Sequence, residues 1–102
     1  MKRTKAVTKV AVEIMSSPSR QFWGYPLSID TGLRSGVLYP ILQRMLDEGW
    51  LADGWETIDR TVEKRPARRY YTLTDLGARE LGAIAAAAPS DQRATTAKLG
   101  LA

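Results

Sequence analysis

The side chains best suited to chemistry in this sequence are basic, and they form two clusters. The first cluster follows the N-terminus and consists of Lys2, Arg3, Lys5 and Lys9. The second contains Arg60, Lys64, Arg65, Arg68 and Arg69, with only Glu63 beside them. Clustered cations of this kind bind phosphate groups, above all those of nucleic acids. The net charge of +4 is modest, so the distribution of the cations indicates this function more than their number does.

Other kinds of chemistry are excluded by residue types that the sequence lacks. It contains no cysteine and no histidine, which removes disulfides, thiolate nucleophiles, imidazole bases and the usual zinc ligands. No pair of carboxylates is set among apolar residues that would separate their pKa values for acid–base catalysis. We therefore expect neither an enzyme nor a bound metal or cofactor. No apolar run approaches the ~20 residues that span a bilayer, so we expect a cytoplasmic protein with no membrane partner.

Three helical patterns precede the second basic cluster. Apolar residues recur at helical spacing within residues 4–16 and predict a first helix with one buried face. A short second helix is predicted for residues 26–31, because Pro26 suits a first helical position and Gly32 suits a helix end. Ser35 can cap a third helix that runs to about Glu48. Two helices joined by a turn this short form a helix-turn-helix.

A hairpin and a last helix follow. Residues 50–59 predict one strand, residues 68–74 predict its return partner, and the basic stretch 60–67 joins them as the tip of a wing. Thr74 can cap the last helix, which Pro89 stops. The predicted fold is mainly α with a β-hairpin wing, a winged helix-turn-helix with an additional C-terminal dimerisation helix. We expect one domain over residues 1–88 and a disordered tail over residues 89–102.

Pro40 conflicts with the third helix, because it has no N–H to donate to the Gly36 carbonyl. Three stretches that include this residue resemble the PadR family of bacterial transcription regulators, which are dimeric winged-helix proteins. They are Trp23-Gly24-Tyr25, the run from Ser35 to Met45 with Glu48-Gly49-Trp50-Leu51 after it, and the run from Arg65 to Gly77. Pro26 stands where many members have glutamate, which implies a later or shorter second helix. A single C-terminal helix resembles the short subgroup of the family.

The resemblance and the two basic clusters together imply that the partner is double-stranded DNA. An α-helix fits the major groove, so the start of the third helix would meet base edges. The wing would contact backbone or minor groove beside it. The expected DNA-binding residues are Arg34, Ser35, Gly36, Val37, Tyr39, Pro40, Gln43, Arg44, Lys64, Arg65 and Arg68. For Tyr39, packing against the second helix is an equal alternative. Of Arg68 and Arg69, which alternate along a strand, one is expected to face the other side.

Core packing is the expected role of the three tryptophans, Trp23, Trp50 and Trp55. In some PadR relatives, aromatic residues at a dimer cavity bind flat hydrophobic effectors, which makes Trp23 and Trp50 candidates for such a site.

The function that these observations predict is a sequence-specific DNA-binding transcription regulator. We expect a dimeric repressor that a small hydrophobic ligand releases. The first and last helices are expected to expose apolar faces that one thin core cannot cover, and to form a homodimer in which Ala83, Ala86 and Ala87 allow close approach. The alternative is a winged helix that binds protein without reading DNA, a class that has no need of several arginines at the tip of the wing.

Overall fold

The computed structural model describes residues 1–89 and shows a mainly helical chain with a small antiparallel sheet, as the sequence predicts for a winged helix. The elements are α1 (Lys5–Ser16), β1 (Gln21–Trp23), α2 (Gly24–Thr31), α3 (Ser35–Asp47), β2 (Leu51–Trp55), α4 (Arg60–Glu63), β3 (Arg69–Leu73) and α5 (Asp75–Ala86). The strands are ordered β1-β3-β2. The tail predicted for residues 89–102 lies, from Ser90 onward, outside the described residues, and the boundary after residue 88 stays a prediction.

Helix α1 lies at the centre of the core, in contact with α2, α3 and α5. Thr4 caps it, since its hydroxyl accepts a hydrogen bond from the Val7 N–H over 3.2 Å. Val10 and Ala11 are fully buried, and they belong to the same core cluster as Leu81 of α5. The expectation that α1 exposes an apolar face is therefore wrong, because one chain already covers that face. On α5, Ala83, Ala86 and Ala87 remain exposed.

Strand β1 is an element that the sequence did not predict. It is three residues long, too short for an alternating pattern, and it pairs with β3. Phe22 stacks on Tyr71 with ring centroids 5.6 Å apart, and Trp23 meets Tyr70 edge-on at 5.7 Å. The sheet has three strands because these two aromatic pairs join β1 to the outer side of the hairpin.

Helix α2 begins at Gly24, earlier than the predicted start at Pro26. Pro26 is the third helical residue, where a helix has no partner for a backbone N–H, so the missing donor costs nothing. The predicted end is correct, because Gly32 adopts the left-handed conformation with φ of 72°.

Helix α3 begins at Ser35, so the prediction that Ser35 is the cap is wrong. The cap is Arg34, whose carbonyl accepts from the N–H groups of Val37 and Leu38, and no side chain caps the helix. Pro40 lies inside the helix, as predicted. Gly36, whose carbonyl would have accepted from residue 40, is exposed, so water can take the place of the missing donor.

The wing, which we define as β2, α4, β3 and their connections (residues 51–73), is shorter in its strands than predicted. β2 ends at Trp55 instead of Asp59, because Asp59 caps α4 by accepting from the Thr61 N–H over 2.9 Å. The tip that was predicted as a loop therefore contains one helical turn, which ends at Lys64 with φ of 54°. The return strand begins at Arg69, one residue later than predicted.

A close backbone contact joins α5 to the start of β2. The Thr74 hydroxyl caps α5 by accepting from the Gly77 N–H over 2.9 Å, and it donates to the Gly49 carbonyl over 2.7 Å. A Cβ added at Gly77 would lie 1.9 Å from the Trp50 carbonyl oxygen, so no larger residue fits there. The helix ends at Ala86, before the predicted stop at Pro89.

Candidate nucleic-acid interface

The outer face of α3, by which we mean Val37, Tyr39, Pro40, Gln43 and Arg44, points away from the core. Leu38, Leu42 and Met45 are completely buried on the opposite side. All of the predicted DNA-binding residues from Arg34 to Arg44 are exposed. Val37 and Tyr39 are 44% and 42% exposed, so apolar surface on this side of the helix is accessible to a partner. The helix thus presents apolar and polar groups together on one accessible surface.

Tyr39 contacts α2 and is also exposed. Its ring lies so close to Gly24 that a Cβ at Gly24 would come within 2.6 Å of the Tyr39 hydroxyl oxygen. Packing against the second helix, one of the two alternatives, is therefore confirmed. A phosphate contact stays a prediction for the exposed part of the same side chain. Gly24 is the residue that permits this packing, because any side chain there would displace the ring.

The polar groups of the outer face of α3 make only weak contacts within residues 1–89. Gln43 donates to the Asp47 carboxylate over 3.0 Å, and both side chains are exposed. Within residues 1–89, Arg34 and Arg44 make no ion pair. Arg34 stands at the N-terminus of α3, where the helix dipole and free N–H groups favour an anion. These groups are available to an incoming partner without the loss of a strong internal contact.

Lys2 of the N-terminal basic cluster lies beside α3. A cleft of about 260 Å³ separates the start of the chain from the middle of this helix, and it is lined by Met1, Lys2, Thr4, Val7, Pro40, Ile41 and Arg44. Lys2 and Arg44 therefore border the same cleft. This proximity could not be read from the sequence, in which the two residues are far apart. It adds a cation to the surroundings of the outer face of α3.

Glu56, which follows β2, is linked to the returning side of the wing by hydrogen bonds from Arg65 and Arg68. Its carboxylate accepts from the Arg65 guanidinium over 2.7 Å and from the Arg68 backbone N–H over 2.9 Å. The hydrogen bond from Arg65 lowers the pKa of Glu56, against a smaller opposing effect of burial. Arg65 is thus already occupied in the free protein. In the part of the chain that the structure describes, Lys64 and Arg68 are exposed and their side chains form no ion pair.

Arg69 lies on the opposite side of the strand from Arg68, as the alternation along the chain predicts for one of the two arginines. Its Nε donates to Asp53 over 2.7 Å, and its guanidinium carbon lies 5.2 Å from the centre of the Tyr71 ring. Sequence reasoning saw only Glu63 as an acidic neighbour of these arginines. It missed Asp53 and Glu56, because the register of β2 on β3 that brings them near was not known.

The three tryptophans have different surroundings. Trp50 belongs to the core and is only 8% exposed, and Trp23 is half-buried against Tyr70, as expected for packing residues. Trp55 is 65% exposed, so core packing is wrong for this residue. It lies at the end of β2, opposite Arg69 and beyond the edge of the core. An effector site at Trp23 and Trp50 stays a prediction.

Within residues 1–89, none of the helices combines the length and the hydrophobicity that a membrane span requires. No group of carboxylates in that range is arranged to hold a metal ion.

Comparison with known proteins agrees with this geometry. A family model described as "Transcriptional regulator PadR-like family" matches residues 29–83, just over half of the chain. The crystal structure of smu.1704 from Streptococcus mutans UA159 has a similar fold, with a TM-score of 0.61 over 82% of this chain and 77% of that one, at 22% identity. No curated protein matches the sequence closely enough to count as a relative. The matched region runs from α2 through the wing into α5 and so includes the whole outer face of α3.

Proposed function

The chain belongs to the PadR-like family of transcriptional regulators, and from this premise we propose that it reads an operator with α3 and holds the flanking DNA backbone with its wing. The family indicates a regulator of transcription, a class of DNA-binding proteins and not of enzymes. The proposal rests on the accessibility of the outer face of α3. This face is exposed, makes only weak hydrogen bonds and is bordered by cations on two sides.

Sequence reading is assigned to α3 because its size and surface suit the major groove. Its 13 residues extend about 20 Å, and the groove is about 12 Å wide. Val37 offers a methyl surface to a thymine methyl group, and Gln43 and Arg44 offer the amide and guanidinium groups that pair with adenine and guanine edges. Ser35 and Gly36 leave the start of the helix free of bulk, so it can approach the bases closely.

Backbone binding is assigned to cations that make no ion pair within residues 1–89. Lys64 and Arg68 at the tip of the wing meet this condition, and so does Lys2 beside α3. Such contacts fix position and supply affinity but carry no sequence information. Arg65, which we expected among them, has a different part in this proposal. It supports the tip through Glu56, so that Lys64 and Arg68 are held in place.

We further propose that the regulator is a homodimer and a repressor. Ala83, Ala86 and Ala87 leave a low, exposed surface on α5 that a second copy of α5 can approach closely. A two-fold dimer would bind half-sites about one helical turn apart, roughly 34 Å centre to centre. Sedimentation at micromolar concentration tests this assembly. A monomer of 11.3 kDa would contradict it, and so would an Ala83→Glu variant that remained dimeric.

The test of operator reading starts from random DNA. Selection of bound sequences should yield a two-fold symmetric site, and titrations should then compare that site with unselected DNA. Recovery of no enriched sequence, with the chain folded by thermal melt, would contradict operator reading and favour the protein-binding alternative. Repression and release by a hydrophobic ligand can be tested on the selected site with a reporter gene. A location in the cytoplasm is the corresponding expectation for a protein whose partner is DNA.

A further inference from the structure

Arg69 and Asp53 form an ion pair on the side of the wing that continues the core face of the sheet. In the register of the hairpin, Trp55 is opposite Arg69 and Asp53 is opposite Tyr71, so these four side chains share one face. The Arg69 side chain is 36% exposed and that of Asp53 is 39% exposed. Arg69 also lies over the Tyr71 ring, which fixes the plane of its guanidinium. The pair is therefore ordered, yet open to solvent.

This face of the wing adjoins the outer face of α3. Burial raises the pKa of the Tyr71 hydroxyl, the charge of Arg69 opposes that rise, and Tyr39 and Asp53 add to it. The packing gives the same placement, because the Tyr39 hydroxyl lies against Gly24, and Gly24 directly follows Trp23, which pairs with Tyr70 of β3. Arg69 directly precedes Tyr70 on β3, so it lies at the end of the strand that is next to Gly24 and Tyr39. A DNA backbone beside the groove that α3 is proposed to read would therefore pass close to Arg69.

We propose that Arg69 is a further DNA-binding residue, which exchanges the Asp53 carboxylate for a backbone phosphate, and that Asp53 restrains the affinity of the protein for all DNA. The inference rests on the proposed function, since it assigns one more contact in the same interface. A guanidinium binds carboxylate and phosphate with the same two-pronged geometry, so Asp53 occupies Arg69 as a phosphate would. Exposed ion pairs are weak, which makes the exchange feasible. Stacking on Tyr71 keeps the guanidinium oriented before and after it.

The exchange gives Asp53 a role that neither basic cluster suggests. When Arg69 moves to the phosphate, Asp53 is left as an unpaired negative charge close to the DNA, and the repulsion opposes binding. This penalty is the same for every base sequence, because it involves the backbone alone. Removal of the carboxylate charge should therefore strengthen binding to operator and random DNA by the same factor.

The experiment compares Asp53→Asn with Glu80→Gln, a control that makes the same change in net charge on α5. Asp53→Asn should tighten binding to both kinds of DNA by up to about fivefold, the limit set by the weakness of exposed ion pairs. The slope of log affinity against log salt should stay nearly the same, because Arg69 makes its phosphate contact in both proteins. Glu80→Gln should change neither quantity appreciably. An equal gain in both variants would overturn the inference, since net charge alone would then explain it.

A second variant tests the cation itself. Arg69→Gln, which keeps the stem over Tyr71, should weaken binding more in the Asp53→Asn background than in the unaltered chain, because only there is Arg69 free of its competitor. Equal losses in the two backgrounds, or no loss in either, would overturn the exchange. Thermal melts must show that all variants fold. Failure of the unaltered chain to bind any DNA would overturn the proposed function and this inference together, whereas normal binding with no effect of Asp53 would overturn this inference alone.

Discussion

The outer face of α3 and the wing both present polar side chains to solvent, but they hold them differently. On α3, Arg34 and Arg44 have no ion pair within residues 1–89. In the wing, Arg65 and Arg69 are bonded to Glu56 and Asp53, which come from or follow β2. A surface that must fit the edges of particular bases benefits from groups that are free to adjust. A surface that contacts any backbone benefits from a fixed shape, which acidic residues of the chain itself provide.

The largest expected effect comes from the free cations of the wing. Replacement of Lys64 and Arg68 by alanine should weaken binding to operator and random DNA alike, on the order of 100-fold at low salt, since a hydrogen bond to a charged group is worth about 1.5 kcal/mol or more. The slope of log affinity against log salt should fall by about 1.8, or 0.9 for each contact. Titrations at several salt concentrations measure both quantities. An unchanged slope would mean that the tip of the wing points away from DNA.

A smaller and selective effect is expected on α3. Val37→Ser keeps the helix but removes an apolar contact with a base, worth about 1 kcal/mol by comparison with single base-pair mismatches. Operator affinity should fall about fivefold while affinity for random DNA stays constant. Competition titrations with the two DNAs give the ratio. If the ratio does not change in a variant with normal thermal stability, Val37 is not a reading residue, and Gln43 or Arg44 takes its place as the first candidate.

A cation of the wing can either hold the tip in shape or bind a phosphate, and variants of Arg65 distinguish these two roles. Arg65→Ala removes the bond to Glu56, so binding should weaken slightly through a less ordered tip, with no change in the salt slope. Glu56→Gln should have a similar small effect, and the double variant should be no worse than either single one. A fall in the slope of about 0.9 for Arg65→Ala would instead show that Arg65 leaves Glu56 to bind phosphate.

The smallest effect should be that of pH. The sequence has no histidine, so no side chain of ordinary pKa titrates between pH 5.5 and 8. The pKa of Glu56 lies below its usual value of 4.5, chiefly because of the hydrogen bond from Arg65. The contribution of this pair to stability is thus complete above about pH 4.5 and is lost only as the pH falls through the lower pKa of the folded state. Binding at constant salt should be flat from pH 8 to 5.5, and a marked pH dependence there would contradict the assignment of the interface.

The sequence predicted best those features that depend on neighbours along the chain. The first helix within residues 4–16 and the cap residue Thr74 follow from local spacing, and each lies in the structure where it was expected. The features that it missed depend on contacts between distant segments. Strand β1 exists only because Phe22 and Trp23 find partners on β3, about 50 residues later.

The candidate site shows the same division. Exposure of Val37, Gln43 and Arg44 follows from their position opposite the stripe Leu38–Leu42, and the sequence alone predicts it. The partners of Arg65 and Arg69 depend on how β2 is aligned with β3, and a shift of one residue would turn Asp53 to the other face. The long connection of the hairpin does not fix that alignment. The cations of the wing can therefore be identified from the sequence, but which of them form ion pairs with Glu56 and Asp53 cannot.

The junction at Thr74 has a mechanical consequence. One residue separates β3 from α5, and Gly77 presses its backbone against the Trp50 carbonyl, so the last helix has no hinge at its base. We expect α5 to move as one rigid body with the wing and the end of α3. If two copies meet through α5, the crossing angle of the two α5 helices will determine the distance between the two copies of α3. A ligand or a substitution that tilts α5 by a few degrees would then move the reading helices off their spacing without any change in the surface that touches DNA.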